Sequence, residues 1–413
     1  MVPAGIRDRA RRPGRADRPA PPATHAATRR GRRRASARQL QPSVDRSHHR
    51  AMAGRRTPRR RRRMSPASTL KRTCGADDPA YDALLAGREE ATFFHTARWA
   101  RIVAAAFPQI RDLSGVYTAG SRRFALPLFV WRRLGGLLTT THSSFPFLYG
   151  GPIPATAENW EALCRGLQRA RGSSLLLGNP FVDPPGALPR PPQTPAPAPP
   201  RAKRARAVSL EWDETHLLVL PESVDQYWSD LLTPRKRNDI RRLTKKGVRI
   251  ERSREPGDVA AVYELYRRRM AAWDRPPGLV YPPAFYRAML DAGEEDVRLY
   301  VARFEEHLIG GTFVCRWNGI VHYNAGYFDD AHRRLRPNVL IQERIIRDAI
   351  SDGQRLYDML PSAGLPNVVA FKESFGAVAR PFPRWRKRGP GHRLLRGVRD
   401  RLRRGPAQRK AGE

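Results

Sequence analysis

The stretch Phe371-Lys-Glu-Ser-Phe-Gly376 sets one lysine, Lys372, among aromatic residues where other charge is sparse. An ammonium held there, away from water, stabilises negative charge growing on a reacting carbonyl oxygen; the plainer alternative is a lysine capping a helix end. A helix expected to open at Pro337-Asn338 presents free backbone N–H groups and the positive end of its dipole. Arg333, Arg334 and Arg336 flank that start, so with Asn338 they compose a candidate anion site. The competing reading is a capped core helix with a solvated Arg turn. Arg237, Arg241 and Lys245 recur at i, i+4 and i+8 as one basic stripe, with Ile240 and Leu243 on a different face. Such a stripe suits the phosphates of a tRNA, a coenzyme or a nucleotide-linked acceptor, or is a solvated face. For taking a proton from an incoming nucleophile the candidates are Asp358, Glu343, Tyr323 and His322, and strand placement favours Tyr323 and Asp358. No Ser/His/Asp arrangement and no cysteine with an obvious partner is visible, which argues against a covalent intermediate.

The elements that must carry these residues are clearest in the second half. Ser223-Val-Asp-Gln226 fits a capping box. Thr233-Pro234 gives an N-cap with proline at the first helical position, Gly247 supplies the stop, and the helix between covers 235–246. A strand over 248–251 follows, and from Asp258 the apolar positions Val259, Val262, Tyr263, Tyr266, Met270 and Trp273 keep helical spacing. Three strands come next, 297–304, 308–317 and 320–328, the second pair joined by Asn318-Gly319, a type I′ hairpin signal. Ile341, Ile345, Ile346, Ala349 and Ile350 mark the helix after Pro337, ended by Gly353, and 356–360 is a short strand. Upstream the pattern is fainter: a helix over 93–107, strands over 124–131, 134–140 and 174–177, a Gly- and aromatic-rich turn region at 145–154, and a helix over 159–171. Residues 184–207 are Pro-rich and basic and read as an exposed inserted loop.

The 413 residues allow two ordinary domains plus tails, and 40% hydrophobic content can fill a core. The formal charge of +38 is unevenly placed: residues 1–63 hold 21 Arg against 3 Asp, in an Arg/Pro/Ala-rich stretch that cannot bury enough surface to order itself. Of the 77 basic residues 69 are Arg, which points as much to compositional drift as to nucleic-acid binding. Met64 directly follows the run 60–63, which makes Met64 or Met52 the expected start. The rival is a basic arm for nucleic acid or acidic lipid. Cys74, Cys164 and Cys315 are too scattered for a disulfide framework or a zinc site, and no metal ligand set is expected. No apolar run approaches the length of a membrane span. The expected setting is cytoplasmic. Leu394, Leu395, Val398 and Leu402 line one face of a basic C-terminal helix that suits peripheral contact with an anionic membrane, although Gly397 weakens it.

Several of these strings resemble one family. Residues 235–248, Arg-Lys-Arg-Asn-Asp-Ile-Arg-Arg-Leu-Thr-Lys-Lys-Gly-Val, are similar to the R-x-x-I-R-x-A-x-K-x-G-V signature of Fem-type and related GNAT transferases. Val321-His-Tyr-Asn-Ala-Gly-Tyr327, Arg333-Arg-Leu-Arg-Pro-Asn338, Asp358 and Phe371-Lys-Glu-Ser-Phe-Gly376 follow in the family's order. Upstream, Phe94-His-Thr, Trp99, Leu126-Pro-Leu128 and Gly150-Gly-Pro152 match its first domain. The resemblance spans about residues 90–385, and meander, helix, strand is the core order of a GNAT domain. Two departures stand out: the family's Asp-Phe-Gly-Gly reads Asp358-Met-Leu-Pro361, and the signature's Ala is Leu243. The Gly-rich phosphate loop of ordinary acetyl-CoA enzymes is also replaced, by Leu335, Arg336, Pro337 and Asn338.

The resemblance implies an α/β (α+β) fold of two tandem GNAT-like domains, each a mixed, mostly antiparallel sheet flanked by helices, with disordered basic tails. Its expected divisions are 1–75, 76–215, 216–385 and 386–413. It implies an N-acyltransferase moving an acetyl or aminoacyl group from acyl-CoA, or from aminoacyl-tRNA, to an amine on a small-molecule, lipid-linked or nucleotide-linked acceptor of the cell envelope, with no tightly bound cofactor. By family analogy the donor's pyrophosphate falls at Arg333, Arg334, Arg336 and Asn338, and Lys372 near the reacting carbonyl. Two rivals remain. One is an aminoacyl-tRNA-dependent peptidoglycan-precursor transferase, against which no long helical-hairpin insert is visible. The other is a basic nucleic-acid-binding module without catalysis, against which the aromatics are not interleaved with the basic runs.

Overall fold

A computed structural model gives the fold. It describes residues 70–133, 136, 138–145, 148–170, 172–181, 208–273, 280–362 and 364–392, all within the unit 64–413. The basic arm, the inserted loop at 184–207 and the C-terminal helix expected from the sequence lie outside the described residues.

The first half runs β1 (Lys71–Gly75), α1 (Pro79–Leu85), a 3-10 turn (Phe93–His95), α2 (Ala97–Ala106), β2 (Ile110–Asp112), β3 (Gly115–Ala119), β4 (Arg122–Leu126), β5 (Phe129–Arg133), β6 (Leu138–His142), α3 (Ala157–Arg169) and β7 (Ser173–Leu177). The second half runs β8 (Val208–Val219), α4 (Val224–Gln226) leading into a π-turn (Tyr227–Leu231), α5 (Pro234–Thr244), β9 (Val248–Ser253), α6 (Pro256–Ala272), α7 (Pro283–Asp291), β10 (Val297–Phe304), β11 (His307–Trp317), β12 (Ile320–Phe328), a 3-10 turn (Asp330–Leu335), α8 (Pro337–Ser351), β13 (Leu356–Pro361), α9 (Pro366–Glu373) and β14 (Val378–Lys387).

Local chemistry sets several of these boundaries. Thr233 Oγ1 accepts from the Lys236 N–H at 3.2 Å ahead of Pro234, so α5 starts where cap and proline place it. Ser223 caps α4 in the same way, through the Gln226 N–H at 3.1 Å. Asn318 and Gly319 have φ of 54° and 73°, the paired left-handed residues a two-residue hairpin requires. The single strand expected over 124–131 is instead two. Proline at 127 cannot extend the ladder, and β4 and β5 end up in different sheets. The helix expected over 93–107 is divided at Thr96, whose hydroxyl accepts from the Trp99 N–H and starts α2 there.

A three-stranded sheet, β1-β3-β4, stands beside a sheet of eleven strands in the order β2-β5-β6-β7-β14-β8-β13-β12-β11-β10-β9. Within the large sheet one unit occurs twice. β5 and β6 pair antiparallel, α3 follows, and β7 returns parallel to β6. β11 and β12 pair antiparallel, α8 follows, and β13 returns parallel to β12. The two repeats are joined by β14, which pairs antiparallel with β7 on one side and β8 on the other. Residues 215 and 216 lie within β8.

One large core lies between α2, α6, α7 and the β10–β12 meander and includes Phe94, Trp99, Phe107, Val262, Tyr266, Phe285 and Phe313. On the opposite face Ile240, Leu243, Val339, Ile345, Ile346 and Tyr357 pack α5 and α8 onto the sheet. Each such side chain, once buried, contributes about 1.5–3 kcal/mol. The helical spacing of apolar residues in α8 therefore fixes its face, and with it the position of its N-terminus.

Candidate active site

β12 and β13 keep their parallel pairing for three steps only, Ile320↔Leu356, Val321↔Tyr357 and His322↔Asp358. Just beyond, both strands distort. The β11–β12 ladder shifts between Phe313 and Val314, leaving Asn324 as the extra residue, and the β13–β8 ladder shifts between Asp358 and Pro361, with Leu360 at φ 58°. The sheet forks at the pair His322 and Asp358.

Both side chains at the fork are fully buried. His322 Nδ1 lies 2.9 Å from Asp358 Oδ2. The other carboxylate oxygen accepts from Thr215 Oγ1 at 2.8 Å, the Leu360 N–H at 3.0 Å and the Tyr149 hydroxyl at 3.3 Å. Tyr149 belongs to the first half, so both halves build the site. His322 Nε2 is buried with no hydrogen-bond partner, and its ring lies 4.7 Å from that of Phe94 and 5.8 Å from that of Phe181. Leaving a buried polar atom unpaired costs about 1–3 kcal/mol, so an unsatisfied nitrogen here needs a reason.

Lys372 is buried on α9, and its Nζ donates to the Leu360 carbonyl. Burial lowers its ammonium to about 8, a shift opposed by the Asp358 and Glu214 carboxylates. The fold thus brings Lys372 and Asp358, both expected from the sequence, to one place at Leu360. Tyr323 does not join them. It packs on the α8 face of the sheet, opposite His322, and burial pushes its phenol up to about 12, which makes it a poor proton acceptor at neutral pH. Glu343 lies on α8, paired with Arg347 and away from the fork. Burial also pushes the thiols of Cys164 and Cys315 up to about 12, far from nucleophilic thiolates.

A cavity of about 760 Å³ opens between α5, the start of α8 and α9, lined among others by Arg235, Lys236, Asp239, Arg242, Arg336 and Phe371. Arg336 holds the left-handed φ of 47° at the N-cap of α8, and its Nη1 donates to Asp239 Oδ2 at 2.5 Å. No side chain caps α8 and no acid stands in its first turn. Lys236 is buried with its ammonium 4.3 Å from the centre of the Phe375 ring, and burial, then Arg336, lowers it to about 8. Of the residues expected to bind an anion, Arg336 lines this cavity, Asn338 is the second residue of α8, and Arg333 and Arg334 are exposed on the preceding turn.

The expected stripe is divided. Arg237 donates to the carbonyls of Trp228, Ser229 and Leu232 at 2.6, 3.0 and 2.8 Å, closing the π-turn, so its guanidinium is committed to structure. Arg241 and Lys245 face a separate cavity of about 710 Å³ that Trp228, Arg344 and Arg347 also line. The stripe reading missed Arg235, Lys236 and Arg242. They follow their own helical spacing on α5, turned away from the stripe toward α9, and only knowledge of where α9 packs separates the two faces.

Residues 234–372 match the family model described as an acetyltransferase (GNAT) domain. This stretch, which contains α5, the basic cavity, the fork and Lys372, is a GNAT-type domain. No curated protein matches the chain in sequence. Among solved structures, the crystal structure of FemX is 11% identical, covering 76% of this chain and 96% of that one at a TM-score of 0.49. A tandem GNAT protein from the clavulanic acid biosynthesis pathway is 16% identical, covering 78% and 99% at 0.43. The structure of L-PGS from Bacillus licheniformis is 10% identical, covering 79% and 97% at 0.43.

Proposed function

We propose that the chain transfers an acyl or aminoacyl group from a phosphate-bearing donor, acyl-coenzyme A in the first instance, to an amine. The observation that carries this reading is that α9 joins two features: Lys372 reaches the Leu360 carbonyl beside the forked strand pair, and its neighbour Phe371 lines the cavity in which Arg235, Lys236, Arg242 and Arg336 face a single carboxylate, Asp239. Cations at an uncapped helix start suit donor phosphates, and in this reading the acyl end reaches toward the fork between β12 and β13. Lys372 would steady the negative charge on the reacting carbonyl through its ammonium, which is still largely protonated at neutral pH. In this reading residues 76–215 supply a supporting domain and 216–385 the donor domain, and the acceptor is a small-molecule, lipid-linked or nucleotide-linked amine. An aminoacyl-tRNA donor is the second reading; the separate cavity with Arg241 and Lys245 favours it by offering further phosphate contacts.

The test is thermal unfolding of the full chain with and without coenzyme A. Ligand at about a hundred times its dissociation constant contributes about 2.7 kcal/mol, so the midpoint should rise by several degrees. Arg336→Ala should weaken that binding about tenfold or more while leaving the ligand-free midpoint nearly unchanged, since its partner Asp239 retains Arg242 at 2.9 Å. An unshifted midpoint in the native chain would sink the coenzyme A reading and turn the search to aminoacyl-tRNA.

A further inference from the structure

We propose that His322 is the proton acceptor for the incoming amine, and that Asp358 is the positioning residue that keeps its Nε2 lone pair free. The proposal rests on the transfer reading above and names the base within that site.

The network at the fork fixes the tautomer. The Leu360 N–H can only donate, so Asp358 Oδ1 must accept, and the Thr215 and Tyr149 hydroxyls converge on that same oxygen. Oδ2 is thereby left to His322 Nδ1 at 2.9 Å. A carboxylate there requires a proton on Nδ1, which leaves Nε2 as a bare acceptor, buried and without a partner. The ring is enclosed by Phe94, fully buried, and Phe181, only partly buried, so the Phe181 side is the less closed of the two. The ionisable groups facing His322 are Asp358 on β13, Tyr149 and His95 from the first half, and, behind Asp358, Lys372 on α9. His95 is itself lowered to about 3, by burial first and then by His322, so it brings no positive charge to compete for the proton.

In the proposed step the amine nitrogen bonds to the acyl carbon, the carbonyl oxygen takes the negative charge, and the nitrogen's proton passes to His322 Nε2. Collapse re-forms the carbonyl and breaks the bond to the thiolate (or, for an aminoacyl ester, the alkoxide) of the donor. The imidazolium, held by the Asp358 carboxylate, then returns its proton to that leaving group.

The same network makes a sharp prediction for Asp358→Asn. Three donors on one side turn the amide oxygen toward them and the amide N–H toward His322 Nδ1. Nδ1 must then accept, the proton moves to Nε2, and the base is lost although the shape is retained. Nitrogen-resolved histidine NMR on the full chain, with the resonance assigned through His322→Gln, reads this directly. The native protein should show the Nδ1-protonated tautomer and Asp358→Asn the Nε2-protonated one. An Nε2-protonated His322 in the native chain overturns the proposal.

The kinetic arm uses acetyl-coenzyme A and small primary amines from strongly basic ethylamine to weakly basic methoxyamine. His322→Gln and Asp358→Asn should slow transfer to basic amines by about 10²- to 10⁴-fold. For methoxyamine, which reaches the site already neutral and loses its proton readily, the loss should shrink to about tenfold or less. Coenzyme A binding should stay within about twofold of native. A loss equal across all amines means a structural role and overturns the assignment. A native chain that binds no coenzyme A refutes the donor reading alone, and the tautomer still decides the pair.

Discussion

The two strand forks of this molecule share a plan and differ in what fills them. In the first half, β6 and β7 pair through Thr140, Thr141 and His142, and then the chain's own next residues close the gap. The Ser143 N–H donates to Leu175 O, Ser143 Oγ accepts from the Leu177 N–H at 3.0 Å, and the Gly150 N–H donates to Leu177 O at 3.1 Å. The helix that follows is closed as well. Thr156 caps α3, and Glu158 stands in its first turn with its carboxyl held below the usual range by its own backbone N–H and then by the Thr156 hydroxyl. In the second half the fork ends on a histidine with a free nitrogen, and the helix after it starts uncapped beside a basic cavity. The first repeat has closed its strand ends and capped its helix, as a scaffold does; the second keeps an acceptor nitrogen at its fork and an uncapped helix start, the two features on which the proposed function rests.

The largest break in this comparison comes from Gly150→Ala. A Cβ there meets the Ser143 carbonyl oxygen at 2.2 Å, with backbone on both sides, so the first fork cannot stay closed. The variant should lose about 2–4 kcal/mol in urea unfolding, and unchanged stability would mean that the fork is not filled as described. A smaller loss, about 1 kcal/mol, is expected for Thr156→Ala, which strips the cap from α3. Chemical denaturation of that variant sharpens the contrast, because α8 has no cap to lose. The smallest effect is one of pH. Lys236 titrates near 8 in the free protein, and an anionic donor binds its protonated form better. Binding therefore takes up a proton near that pH, and affinity is highest below it and weakens several-fold as pH rises through 8 to 9. Calorimetric titration at several pH values checks the sign, and Lys236→Met should flatten the profile.

How far the sequence could be read follows the same division. The β10–β12 meander, the Asn318-Gly319 turn and α8 announce themselves because each is sealed by local signals: alternation, a two-residue turn, a proline at the first helical position. Asp358 and Lys372 were legible as residues, through the order of the family motifs, and they do meet through Leu360. Their partners were not. Tyr149 and Thr215 reach Asp358 from elements far away in the chain, and no periodicity records such a contact. That failure explains why His322 ranked below Tyr323: the two are neighbours on one strand, and only the packing on each face separates them. β14 escaped for a different reason. Pro381 and Pro383 argue against a central strand, but they fall where β14 has β8 alone beside it, since β7 joins only from Arg384 onward.

The position of β14 has a consequence for how the molecule is made. A ribosome delivers the fork, the basic cavity and both repeats before it delivers the strand that lies between them. Until residues 378–387 emerge, β7 and β8 each present an unpaired edge, and β8 is the longest strand of the sheet. The nascent chain therefore carries two exposed edges next to a nearly finished second half, a state prone to pairing with a neighbouring chain. Closure of the sheet waits on β14, and a chaperone that shields strand edges would act on this protein in the interval before that strand is free.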